Sequence, residues 1–163
     1  MLFILPECLV NTIVGERPKA PWHLWAVGLV GLLWFAGGAY DYVQTQSRNM
    51  DYIGAAADAV GLPAEVILEY FHSYPLWADI CWALGVWGSI AGGVLLLLRS
   101  RFAFHALVIS LIGLAGSTLY TFIADVPPEM AGTFQIVFTI LIWLSVLAMA
   151  WYARAMTKAG VLR

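Results

Sequence analysis

The sequence predicts an all-α integral membrane protein: a four-helix up-down bundle with an amphipathic surface helix in its first outer loop. Three observations carry that expectation. Hydrophobic residues make up 62% of the chain and charged residues 11%, far from the roughly one-quarter charged composition of a soluble domain. Four apolar runs reach the length of about 20 residues that a helical span needs. The charges are sorted by sign between those runs: every basic residue except Arg48 falls at Arg17, Lys19, Arg99, Arg101, Arg154, Lys158 or Arg163, and eight of the ten acids fall near the other gaps, at Asp41, Asp51, Asp58, Glu65, Glu69, Asp79, Asp125 and Glu129. Lys/Arg bias marks the cytoplasmic side, so both termini are expected in the cytoplasm.

Residues 1–21 form the expected N-terminal tail, cytoplasmic or lying on the membrane surface. Its apolar stretch is broken by Pro6, Glu7 and Asn11 and has neither a basic leading region nor a small-residue cleavage site, which argues against a signal peptide. The transmembrane domain then fills 22–163. The first span, 22–42, starts with Trp22 and Trp25 and ends with Tyr40 and Tyr42, the aromatic belts of the two interfaces.

The outer loop, 43–75, is not featureless. A short helix is expected from Asp51 to Val60, stopped by Gly61. Pro63 suits a first helical position, and behind it Val66, Ile67, Tyr70, Phe71 and Tyr74 recur at helical spacing while Glu65, Glu69, His72 and Ser73 take the other side. That pattern defines an amphipathic helix for the outer surface.

The second span, 76–98, and the third, 102–124, are joined through Arg99-Ser100-Arg101, which makes them antiparallel neighbours. A second tight turn with Pro127-Pro128 leads to the fourth span, 132–156. Cys8 and Cys81 fall at different depths and are expected as free thiols.

The candidate sites are few. Asp41, Asp79, Tyr120 and Gln135 fall near the outer helix ends and would line an outward-facing polar cavity suited to a cation or proton, if they are not simply wetted interfacial groups. Trp34, Trp87 and Trp143 lie near mid-membrane by counting, as a core stack or an aromatic pocket, since a buried indole N–H wants an acceptor. Gly88 with Gly92 forms GxxxG, and Gly113 with Ser117 a small-xxx-small pair, spacings that allow close helix packing within the bundle or against a partner. Glu69 and His72 are a weak metal candidate, because a di-iron bundle needs two such Glu-x-x-His motifs and further carboxylates. His23 and His105 are expected as interfacial residues, not as haem ligands.

Several stretches carry a resemblance: Leu33-Trp34-Phe35 with Tyr40-Asp41-Tyr42, Gln46-Ser47-Arg48-Asn49, Tyr74-Pro75-Leu76-Trp77, the run from Trp82 to Gly88, and the closing Trp151-Tyr152-Ala153-Arg154 with Gly160-Val161-Leu162-Arg163. Over most of the chain after the N-terminal tail, the sequence resembles an uncharacterised family of short four-helix inner-membrane proteins of proteobacteria, sometimes labelled sugar transporters. The resemblance implies architecture and compartment and carries over no catalytic residue.

No HExxH, phosphate-binding glycine loop or nucleophile with an identifiable base is present. The chain is therefore expected to be no enzyme and to need no cofactor. A net charge of -2 gives no basis for nucleic-acid binding. The expected partners are membrane lipid and either further copies of the chain or a larger membrane complex. The function expected first is a non-catalytic accessory or scaffold subunit; the alternative is a small-solute or cation transporter working as a homo-oligomer, since one copy lacks the inverted repeat of an alternating-access carrier.

Overall fold

The computed structural model describes residues 20–124, 126 and 132–163. Cys8, most of the N-terminal tail, and the second tight turn except Val126 lie outside the described residues. Six helices follow in order: α1 (Trp22–Gln46), α2 (Met50–Val60), α3 (Ala64–His72), α4 (Leu76–Leu97), α5 (Phe102–Ile123) and α6 (Thr133–Lys158), with no strand among the described residues. Four of them, α1, α4, α5 and α6, are long and apolar enough to cross a membrane. At 1.5 Å rise per residue, the 22 residues of α4 extend about 33 Å, which matches a hydrocarbon core of about 30 Å.

The closest packing is between α4 and α5, and small residues are its cause. A Cβ on Gly113 would stand 2.4 Å from the Gly85 nitrogen and 2.5 Å from the Cys81 carbonyl oxygen, and one on Gly88 would stand 2.9 Å from the Ser110 nitrogen. The two backbones therefore touch, as small-residue faces allow where lipid supplies no drive for association. The Ser110 hydroxyl donates to the Gly85 carbonyl at 2.6 Å across this contact. Gly92 faces Leu107, while Ser117 turns back to donate to the Gly113 carbonyl of its own helix at 3.0 Å. Cys81 is half-buried, its sulfur against Gly116.

Around this pair, α1 packs along α4 and α6 along α5, whereas α1 and α6 meet only sparsely. Gly28 lies under Leu97 and Gly93 under Leu32, so α1 and α4 run antiparallel. The main core gathers Leu24 and Phe35 of α1, Leu96 of α4, Ala103 and Leu107 of α5 and Val146, Met149, Ala150 and Ala153 of α6.

Four helix ends share one device. A residue of positive φ closes each one: Arg48 (55°), Arg99 (57°) and Gly160 (70°) directly after the C-cap, and Gly61 (72°) as the C-cap itself. Its N–H bonds the carbonyl three residues back (Arg48 to Thr45, Arg99 to Leu96, Gly160 to Thr157), and the next N–H reaches back five (Asn49 to Gln44, Ser100 to Leu95, Val161 to Met156). These are Schellman turns, normally closed by glycine; Arg48 and Arg99 take the left-handed conformation against a steric penalty of about 1 kcal/mol.

After the turn at Gly160 the chain folds back. Val161 and Leu162 are buried in the main core, and the Arg163 backbone pairs with the α4–α5 loop: its N–H donates to the Arg99 carbonyl at 2.8 Å and its carbonyl accepts from the Arg101 N–H at 2.6 Å. Arg99 Nε donates to the Val161 carbonyl at 3.3 Å. The basic end of the protein is thereby closed by a segment that reads in sequence as a tail.

Differences from the sequence expectations are local. Helix α1 continues past residue 42 to Gln46, because the Schellman turn at Arg48 stops it later than the apolar run does. Pro63 is the N-cap of α3, with ψ 141°, and not its first helical residue. Asn49 caps α2, its side-chain oxygen accepting from the N–H groups of Asp51 and Tyr52. The outer helices also hold a small core of their own, Ile53 and Ala57 of α2 against Ile67 of α3.

Candidate functional site: two ends of opposite charge and an open seam

The described acids, Asp41, Asp51, Asp58, Glu65, Glu69 and Asp79, all belong to the end of the molecule formed by α2, α3 and the adjoining ends of α1 and α4. There the four residues expected to line one cavity go to separate partners. Asp41 accepts from the Tyr52 hydroxyl at 2.8 Å, tying α1 to α2. Asp79 accepts from Gln46 Nε2 at 2.5 Å, tying α4 to α1. Tyr120 is buried and its hydroxyl donates to the Ser73 carbonyl at 3.3 Å. Gln135 lies on an exposed part of the first turns of α6. An open groove of about 540 Å³ does lie at this end, but of the four residues Tyr120 alone lines it, beside Tyr70, Trp77 and Ser73.

What sequence reasoning missed here is a continuous aromatic cluster. Tyr74 lies 4.5 Å from Tyr120 and Phe71 stacks on Trp82 at 5.1 Å. Trp82 meets Tyr42 at 4.8 Å and Trp77 meets Tyr120 at 5.7 Å, both edge-on. Offset and edge-on ring contacts add about 0.5–1.5 kcal/mol per pair beyond the area they bury, so the cluster fixes α3 onto α4 and α5. Burial pushes the hydroxyls of Tyr70 and Tyr74 above the usual phenol range. The signal available in the sequence was the dense aromatic spacing across Pro75.

Tyr52 is pushed up to about 12, first by burial and then by its bond to Asp41, since ionising it would set a second negative charge beside the carboxylate. It therefore remains a donor to Asp41 throughout the neutral and mildly alkaline range.

The three tryptophans expected at mid-membrane do not converge. Trp34 Nε1 donates to Ser145 Oγ at 3.1 Å, between α1 and α6. Trp143 Nε1 donates to Thr118 Oγ1 at 3.2 Å, between α6 and α5. Trp87 is nearly half exposed on α4, with Tyr42 at 6.2 Å. Residues 143 and 145 are about 200° apart around α6, which sends the first two indoles to opposite sides of that helix.

Between α1 and α6 runs the seam where the two helices barely meet. It forms an open, apolar groove of about 410 Å³, lined among others by Ala26, Val30, Gly31, Trp34, Ser145 and Met149. Two polar ties cross it, Trp34 to Ser145 and, at the basic end, His23 Nδ1 with the Tyr152 hydroxyl. His105 lies among Phe102 and Phe104, apart from this pair. Glu69 and His72 are exposed, and among the described residues no group of three or more His, Cys, Asp or Glu side chains could hold a metal ion.

Four apolar helices of spanning length make the chain compatible with a multi-pass membrane protein. No protein-family model, curated protein or solved structure matches it.

Proposed function

We propose that the chain is a non-catalytic accessory or scaffold subunit of a larger complex in a bacterial inner membrane, with its four long helices as an up-down bundle and both termini in the cytoplasm. The observation that carries this reading is the α1–α6 seam. A self-sufficient four-helix unit would close that side, whereas here small residues line an apolar groove at which Val30 is more than half exposed, as are its neighbours on α1, Leu29 and Leu33. Small residues on an open helix face permit the close approach of a further helix. The Lys/Arg bias supports the orientation, with α3 at the outer surface. The carrier reading stands second, because it needs a shared polar chamber and Asp41, Asp79 and Tyr120 are each engaged elsewhere.

The test is gentle extraction of the tagged protein from its native membrane, followed by mass spectrometry of the intact particle. Wild type is expected to bring down a stoichiometric larger partner, and Val30→Trp, which fills the groove from its lip, to lose it while keeping its own helical content. A bare homo-oligomer unaffected by Val30→Trp would overturn the proposal and move attention to transport.

A further inference from the structure

At the basic end, five of the described residues carry positive charge: Arg99, Arg101, Arg154, Lys158 and Arg163. All the described acids are at the opposite end, so no described acidic side chain stands here as a counterion.

Two features make more of this than a diffuse positive surface. The backbone pairing of Arg163 with Arg99 and Arg101 brings residues from the α4–α5 loop and the chain's last turn together. Arg101 also holds its guanidinium over the face of Phe102, at 5.3 Å from the ring centroid. A guanidinium held against a ring by a cation–π contact commits no N–H group to a hydrogen bond there, so its donors remain available to a two-pronged acceptor. Neither Arg101 nor Arg163 makes a side-chain hydrogen bond or ion pair with another described residue, and both are exposed.

The flanks point to the kind of acceptor. Leu98 and Phe102, on either side of the loop, are 71% and 55% exposed. Exposed apolar side chains flanking the basic loop match a ligand with an anionic head and hydrocarbon tails, which a free phosphate does not have. We propose that Arg101 and Arg163 hold the phosphate of an anionic phospholipid headgroup, with Leu98 and Phe102 seated against its acyl chains. Arg99 is left out of the site, since its Nε is already turned inward to the Val161 carbonyl. The proposal is independent of whether the seam binds a partner.

The experiment is native mass spectrometry of the full chain in detergent, offered phosphatidylglycerol and phosphatidylcholine in equal amounts. Wild type is expected to retain phosphatidylglycerol in clear preference. The double variant Arg101→Gln/Arg163→Gln is expected to lose most of it, a loss of about 30-fold in preference from two basic residues near a membrane surface. Arg154→Gln/Lys158→Gln, at the same end but outside the site, is expected to lose much less. Equal retention of the two lipids by wild type, or an unchanged preference in the double variant, would overturn the site. Displacement of the lipid by an equal concentration of inorganic phosphate would overturn the lipid as its ligand. Should the glutamine variant lose helical content, Arg101→Lys/Arg163→Lys takes its place. It keeps the charge without the fork and is expected to fall between wild type and parity; an undiminished preference would then count against the two-pronged contact.

Discussion

Replacing Gly113 by alanine adds one carbon atom to a helix of 22 residues, and the geometry of α4 against α5 makes its effect calculable. The new Cβ would stand 2.4 Å from the Gly85 nitrogen, 2.5 Å from the Cys81 carbonyl oxygen and 2.9 Å from the Leu84 carbonyl carbon. All three are backbone atoms of α4, so no rotamer change relieves the contact. Reaching ordinary contact, from 3.4 Å upward, requires the two backbones to part by about 1 Å. A gap of 0.5–1 Å forfeits roughly a quarter to a half of each dispersion well of about 0.1–0.2 kcal/mol. Over some 20 atom pairs, that sums to about 0.5–2 kcal/mol. The separation also stretches the bond from Ser110 to Gly85, and such interhelical bonds contribute about 0.6 kcal/mol in membranes. Set against the helix-propensity gain of up to about 1 kcal/mol that alanine brings, Gly113→Ala is therefore expected to destabilise the protein by about 1 kcal/mol net, at the low end for overpacked cores, and to lower its melting temperature by roughly 2–4 °C. The measurement is a thermal melt in detergent, with Gly37→Ala as control: a Cβ there meets nothing within 4 Å, and alanine gains up to about 1 kcal/mol of helix propensity. Gly88→Ala should resemble Gly113→Ala, and Gly92→Ala should cost less, because its Cβ would meet the movable Leu107 side chain. If Gly113→Ala melts with or above Gly37→Ala, the close backbone contact is wrong.

Two further outcomes follow from the outer elements. Because the Tyr52 pKa is raised to about 12 in the folded protein from 10, the stability it contributes is complete below about pH 10 and is lost as pH rises toward 12. A phenolate absorbance titration, with Tyr52→Phe as the blank, should show that late ionisation; Asp41→Asn should bring it only part of the way back, since burial is the larger cause, and a full return to 10 would contradict that ranking. Arg48→Gly relieves a left-handed φ of 55° but loosens the unfolded chain, for a net gain of a few tenths of a kcal/mol. Arg99→Gly should gain less, since it also deletes the bond to Val161, and a melt in which Arg99→Gly is the more stable of the two refutes the comparison.

The elements legible in the sequence are those encoded along the helix axis. Apolar length located α1, α4, α5 and α6, the sign of the charges distinguished their ends, and the spacing of Ile67, Tyr70 and Phe71 marked the packed face of α3. Rotation about the axis was not legible. Spans that are apolar nearly all round carry little angular information, so the depths of Trp34, Trp87 and Trp143 could be counted while their directions could not. Asp41 and Asp79 illustrate the same limit: each was placed correctly near a helix end, but the choice between a common chamber and separate bonds to Tyr52 and Gln46 depends on how α1 is turned against α4. The return of Val161 and Leu162 into the core was signalled only by Gly160, whose place after the basic last turn of α6 is that of a Schellman stop. The aromatic cluster around Tyr74 depends on the bend at Pro75, a tertiary event with no period to read.

That return of the chain has a consequence for biogenesis. Residues 160–163 follow every helix in order of synthesis, yet they complete the packing around Leu24, near the start of the first helix, and pair with a loop made some 60 residues earlier. Each span can enter the bilayer as it emerges, but the end that carries the arginines stays unsealed until translation has passed residue 163. If the four long helices insert into a membrane as they emerge, insertion and final closure are separate events in time, and a nascent chain stalled short of that point would be an integrated but unlatched intermediate.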